Sequence, residues 1–153
     1  MEVDAFLADS AESVQGKIYA LGVGWNAIFA PAFPIVQPRI SLGITVRVPY
    51  TATNQMHSIT VHLDSEDGVR KQLGLNAGPD GEPTPIMEIA GNFNLGRPPL
   101  LPAGDEQIVG FAMQIDQLQF DGPGMFTWEI EIDGAVLKRL PMRIVQMLPG
   151  QLG

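Results

Sequence analysis

The chain of 153 residues has the length of a single domain. At 45% hydrophobic and 17% charged it holds enough apolar material for a core, which excludes a disordered segment. A formal net charge of −8, with nine Lys and Arg scattered singly apart from Arg70-Lys71 and Lys138-Arg139, argues against nucleic acid as a partner, and the lack of cysteine excludes a disulfide framework and thiolate chemistry.

The opening residues, MEVDAFLADSAES, carry acids where a secretory signal needs a basic start and a longer apolar run. No stretch reaches the ~20 apolar residues that span a bilayer. These features predict a soluble, cytoplasmic protein with no membrane partner. The 17 glycines and 13 prolines predict many turns between short elements rather than long helices.

Residues 3–7 and 17–21 have the pattern of strands. Between them, DSAESVQG offers Asp9 as a helix cap, Glu12 three residues on and Gly16 as a stop, which predicts one helical turn near residues 10–15. GVGW, residues 22–25, lacks the spacing of a nucleotide loop, and its glycines suit close backbone packing or a bulge.

The segment GWNAIFAPAFPIVQP, residues 24–38, carries Trp25, Ile28, Phe29, Phe33, Ile35 and Val36 without a charge. Pro31, Pro34 and Pro38 oppose regular helix and central strand. Such a segment either closes one end of a core or presents an apolar patch to a partner. LGRPPLLP, residues 95–102, with Leu100 and Leu101, could extend the same surface.

RISLGITVRV, residues 39–48, alternates strictly, with Ile40, Leu42, Ile44, Val46 and Val48 on one face. Residues 56–64 repeat the pattern with Ile59, Val61 and Leu63 inward, ending in the turn SEDG. GLNAGPDGEPTP, residues 74–85, reads as a loop, and residues 87–95 alternate again. Residues 108–115 are apolar at most positions, as in a central strand covered on both faces.

In FTWEIEIDG, residues 126–134, Phe126, Trp128, Ile130 and Ile132 point inward while Thr127, Glu129 and Glu131 face water. A two-residue Asp133-Gly134 turn would set Trp128 opposite Arg139. One extra residue in the loop pairs Trp128 with Leu140, Phe126 with Met142 and Glu129 with Arg139, so a three-residue bulged loop with Gly134 left-handed is predicted.

The succession ADSAES, GKIYALGVGW, AFP and a strand ending in VPY resembles the start of a family of short uncharacterised bacterial proteins. His57 before a strand, Ser65-Glu66-Asp67-Gly68, Gly91-Asn92-Phe93, and Gly124-Met125-Phe126 running into Ile132-Asp133-Gly134 continue the likeness over nearly the whole chain. The resemblance implies a β-sandwich and no assigned reaction, and its last hairpin recurs in many immunoglobulin-like sandwiches.

Candidate chemistry is sparse. His57 and His62, five residues apart on a strand, lie on opposite faces and cannot share a metal unless a bulge intervenes. His62 shares the outward face with Asp64, a two-ligand start to a metal site, but no Cys or further His completes it, and a solvent-facing histidine beside a turn is expected. DSEDG lacks the ligand spacing of a calcium loop. Glu129 and Glu131 are paired carboxylates, the arrangement a glycosidase uses, yet a strand surface implies no cleft. There is no G-x-S-x-G and no phosphate-cradling loop.

The expected architecture is all-β, an antiparallel immunoglobulin-like sandwich of about seven to nine strands, with one domain over residues 1–146 and a flexible tail over 147–153. The expected role is a non-catalytic intracellular binding or scaffold module acting through protein–protein contacts, self-assembly into a homo-oligomer included. Its contact surface would comprise Trp25, Ile28, Phe29, Phe33, Ile35, Val36, Leu100 and Leu101, with no cofactor and no metal. The alternative is a small-ligand or carbohydrate-binding sandwich that uses the aromatic 25–36 segment as a stacking platform.

Overall fold

The computed structural model describes residues 1–150 and is all-β, with one 3-10 turn at Tyr50–Ala52 as its helical element. A three-stranded sheet sets β5 (Ile35–Val48) between β1 (Glu2–Ala8) and β10 (Gln107–Phe120). A five-stranded sheet has the order β4 (Ala27–Ala30), β12 (Ala135–Gln146), β11 (Gly124–Ile132), β6 (His57–Ser65), β9 (Ile89–Phe93). It is mixed, since β4 runs parallel to β12 while its other pairs are antiparallel.

Period-2 alternation decides which faces meet. Ile40, Leu42, Ile44, Val46 and Val48 of β5 have no exposed surface, nor do Val61 and Leu63 of β6 or Trp128 and Ile130 of β11. These residues form one apolar cluster between the two sheets. Prolines occupy β5 and β12 only where a ladder is one-sided. β1 stops pairing at Ser41, short of Pro38, and β4 pairs from Arg143 onward, beyond Pro141.

Four local expectations are corrected. Residues 10–15 hold no helical turn. β2 (Ser10–Val14) and β3 (Lys17–Leu21) form a hairpin, turning at Gln15 and Gly16 with φ of 52° and 74°. Its ladder and its contacts with β10 outweigh the short helix that Asp9 could cap. Residues 74–85 are not wholly a loop, because β7 (Gly74–Ala77) and β8 (Pro83–Ile86) pair across a turn.

The 108–115 run lies in an edge strand rather than a central one, although β10 is longer than expected. Gln117, at φ 56°, re-phases its alternation so that Ile115, Leu118 and Phe120 all bury. The last hairpin has the expected pairs Trp128↔Leu140, Phe126↔Met142 and Glu129↔Arg139. Its loop nevertheless has two residues, Asp133 at φ 53° and Gly134 at φ 82°. The extra residue is Leu137, accommodated where the register shifts between Ile130 and Glu131.

The β2–β3 hairpin lies over the outward side of β10. Ser13 Oγ donates to the Gly110 carbonyl (2.8 Å), the Gly110 N–H donates to the Gly16 carbonyl (2.8 Å), and Gln114 Nε2 donates to the Ala11 carbonyl (2.6 Å). A Cβ at Gly110 would stand 2.7 Å from Ile18 and 2.9 Å from the Gly16 carbonyl oxygen. At the other end of the chain, the Met147 N–H donates to the Ala30 carbonyl at 2.8 Å, so the predicted tail begins as a continuation of the β4 contact. Residues 151–153 lie outside the described residues.

His57, 5% exposed, locks the β11–β12 turn to β6. Its Nδ1–H donates to Asp133 Oδ2 (2.7 Å) and its Nε2–H to the Ala52 carbonyl (2.7 Å), while the Ser58 N–H donates to Asp133 Oδ1 (2.9 Å). Both ring nitrogens face acceptors, so the imidazolium is favoured. The Ala52 carbonyl, followed by the Asp133 carboxylate, raises the His57 pKa above its ordinary value against an opposing effect of burial. The His57 hydrogen bond and then the Ser58 N–H lower that of Asp133.

Two outcomes follow. Gly110→Val lifts the β2–β3 hairpin at a cost of ~1–3 kcal/mol, seen as faster hydrogen exchange over residues 10–21 while β5 stays protected. Because the His57 pKa is raised on folding, its contribution is complete below the unfolded value of ~6.5 and disappears as pH rises through the folded value. Melting temperature therefore falls across that window in the parent protein, and His57→Gln removes this component of the pH dependence.

Candidate functional site

The uncharged 25–36 segment divides between core and surface. Ile28 and Ala30 are buried on the inward side of β4, and Trp25, Phe33 and Ile35 pack against the central cluster. Phe29 keeps 61% of its surface exposed and Val36 49%. Alternation in β4 places Phe29 so, since its successive side chains point to opposite faces, while Val36 belongs to the start of β5. β4 pairs with β12 on one side and with no other strand among the described residues.

Leu100, 97% exposed, and the partly buried Leu101 belong to the connection from β9 to β10. That connection is held at the Val48 end of the β5–β10 ladder. The Asn54 N–H donates to the Leu95 carbonyl (2.7 Å), Gln107 Nε2 donates to the Gly96 carbonyl (2.8 Å), and Arg97 stacks over the Tyr50 ring at 4.0 Å. Residues 31–34 enter the same ladder at its opposite end, where Ile35 pairs with Phe120. Roughly 40 Å of strand separates the two ends, and β4 and β9 are opposite edges of their sheet. The two apolar runs do not meet in one surface.

The outward face of the five-stranded sheet carries a charged cluster at its middle. His62 stands directly opposite Glu129 across β6 and β11, and Asp64 follows two residues on along β6. His62 faces outward as expected, but it is not a solvent-facing residue: it is 1% exposed. The chain turns back after Gly68, bridges Asp64 with Arg70, and lays the Arg70 guanidinium against the ring, with Nη2 3.2 Å from His62 Nε2.

Around that ring, His62 Nδ1 is 3.4 Å from Asp64 Oδ1, and Nε2 is 3.4 Å from Glu131 Oε1 and 3.6 Å from Glu129 Oε2. Arg70 Nε donates to Asp64 Oδ1 (3.3 Å) and Arg139 Nε to Glu129 Oε1 (3.2 Å). Glu129 and Glu131 share a face, as the alternation predicts, but they face a histidine and two arginines rather than a cleft. Sequence reasoning coupled His62 with Asp64 but did not bring Glu129, Glu131 or Arg70 to it. Glu129 became findable only with the β6–β11 register, and Arg70 only with the path of the turn.

A cleft of about 400 Å³ opens between the turns at 65–72 and 121–126. Lys71 borders it with Nζ 4.9 Å from the centre of the Phe120 ring. Partial burial lowers the Lys71 pKa, against an opposing pull from Asp121. DSEDG forms the turn on its rim, where the Gly68 N–H donates to the Ser65 carbonyl at 2.9 Å. No helix among the described residues is long and apolar enough to cross a membrane.

Among solved structures the chain is similar to Pseudomonas fluorescens alkylpurine DNA glycosylase AlkC bound to DNA containing an abasic site analog. Identity is 12% and the TM-score 0.38, and the match covers 94% of this chain and 30% of that one. A likeness that loose supports no statement about activity. No curated protein matches the chain. Residues 3–145, almost the whole chain, match one family, and on that match the chain belongs to the family of unknown function DUF6941.

Proposed function

We propose that the protein is a non-catalytic intracellular binding module that works by protein–protein contact through the free edge of β4, with self-association into a homo-oligomer as its simplest form. The observation that carries this reading is Phe29. In an edge strand whose neighbouring residues Ile28 and Ala30 are buried, this phenylalanine keeps 61% of its surface in water. An unpaired strand edge offers backbone donors and acceptors to an incoming strand, and an aromatic side chain beside it supplies an anchor. Val36 adds exposed apolar surface beyond the 31–34 link.

The same reading takes the architecture as an immunoglobulin-like sandwich, and strand order supports it. Taking β1, β5 and β10 as strands A, B and E, and β6, β9, β11 and β12 as C, C′, F and G, the neighbours within each sheet follow the variable-type order, with no strand in the place of D among the described residues. β4 then follows A and lies beside G. The carbohydrate-binding alternative needs an exposed aromatic platform. It is the weaker reading, because Trp25 and Phe33 lean on the core and leave Phe29 alone.

Phe29→Asp tests the contact. The parent protein is expected to travel as a multiple of 16.5 kDa, or with a second polypeptide, in native mass spectrometry and sedimentation. The variant is expected to be a monomer whose stability differs by no more than about 0.5 kcal/mol, as for an exposed site. A parent protein that is a bare monomer, or a variant that still associates, overturns the reading.

A further inference from the structure

We propose that His62, Asp64 and Glu129 form a binding site for one divalent first-row transition-metal ion, with Glu131 orienting the histidine. The β6–β11 register places the three side chains on one face. One ring nitrogen of His62 and one carboxylate oxygen each from Asp64 and Glu129 lie within 4.8 Å of one another. Ligand atoms that share an ion at bonds of ~2.0–2.2 Å stand about 3–3.6 Å apart. The 3.4 Å between His62 Nδ1 and Asp64 Oδ1 already has that spacing. Glu129, whose Oε2 lies 3.6 Å from His62 Nε2 and whose Oε1 accepts from Arg139 Nε, must turn toward Nδ1 to close the set.

An independent observation points to the ligand. The His62 side chain is 2% exposed, and its Nδ1, turned toward Asp64, is buried without a hydrogen-bond partner. Leaving a buried polar atom unpaired costs ~1–3 kcal/mol, and an electron-pair acceptor on Nδ1 removes that cost. With the ion on Nδ1 the ring hydrogen sits on Nε2 and donates to Glu131 Oε1, at 3.4 Å. A carboxylate behind a ligating histidine is a common orienting arrangement.

Charge fits a divalent ion as well. Asp64, Glu88, Glu129 and Glu131 gather around His62, Arg70 and Arg139, four carboxylates against two guanidiniums, an acidic excess that suits a cation. Arg70 is the competing cation. Its Nε holds Asp64 and its Nη2 lies 3.2 Å from His62 Nε2, so the ion releases it toward Glu88, now 3.9 Å from Nη1. One nitrogen and two carboxylates suit zinc, cobalt or manganese better than calcium, which prefers an all-oxygen shell. Three protein ligands leave the remaining positions to water.

The test is titration of the metal-free full chain with Co²⁺ and then Zn²⁺, read by visible absorption, by the His62 ring nitrogen resonances and by melting temperature. Expected are one saturable equivalent, a shifted Nδ1 resonance with the proton on Nε2, and a higher melting point. Asp64→Asn, at a part-exposed side chain that keeps the fold, lowers affinity at least ~10-fold. Arg70→Gln raises it by removing the competing cation, and His62→Gln abolishes it. No saturation below about 1 mM, equal binding by Asp64→Asn, or an imidazolium doubly protonated at saturating metal overturns the proposal.

Discussion

The burial of β5 against the inward faces of β6 and β11 is the interaction on which the rest of the molecule depends. Five alternating aliphatic residues of β5 have no exposed surface, and Trp128 and Ile130 answer them from the other sheet with none either. Each such side chain contributes about 1.5–3 kcal/mol relative to exposure. The half-exposed ion pairs Arg39–Asp116 and Arg47–Glu106 are worth at most about 1 kcal/mol each. Register, strand length and the bulge at Leu137 therefore follow the apolar contacts, and the outward charges take the positions those contacts leave them.

The two outer faces are treated differently. That of the three-stranded sheet is partly covered by the β2–β3 hairpin, which docks through backbone groups at Gly16 and Gly110 and through the Ser13 and Gln114 side chains. That of the five-stranded sheet keeps its polar residues and draws the returning Arg70 segment over them. Covering a histidine in this way makes it dry without placing it in the core. Electrostatic interactions strengthen where water is excluded, so the cluster around His62 differs in kind from the exposed pairs elsewhere on the surface.

His57 and His62 illustrate how alternation separates roles. Both are at most 5% exposed and both lie in β6, yet they face opposite ways. His57, saturated on both nitrogens, ties a turn to the 3-10 segment. His62 has an unpaired nitrogen among carboxylates. The first arrangement is complete as a structural lock, while the second leaves a buried ring nitrogen without a hydrogen-bond partner on a face that is otherwise well ordered by its ladder.

Alternating hydrophobicity by itself determined the strands at 39–48, 56–64 and 126–132 to within a few residues at their ends, their buried faces and the pairing of Trp128 with Leu140, because a one-residue slip would move every apolar side chain into water. That the chain belongs to a family without an assigned reaction was legible as a resemblance in short motifs along the chain, from ADSAES to the last hairpin. The tertiary structure alone decided the rest. Whether residues 10–21 form a helical turn or a hairpin depended on β10 being there to receive them. The split of 25–36 into core and edge depended on β12. The partners of His62 came from β11 and from a turn eight residues on, since a single strand specifies which way a side chain points but not what will be laid across it.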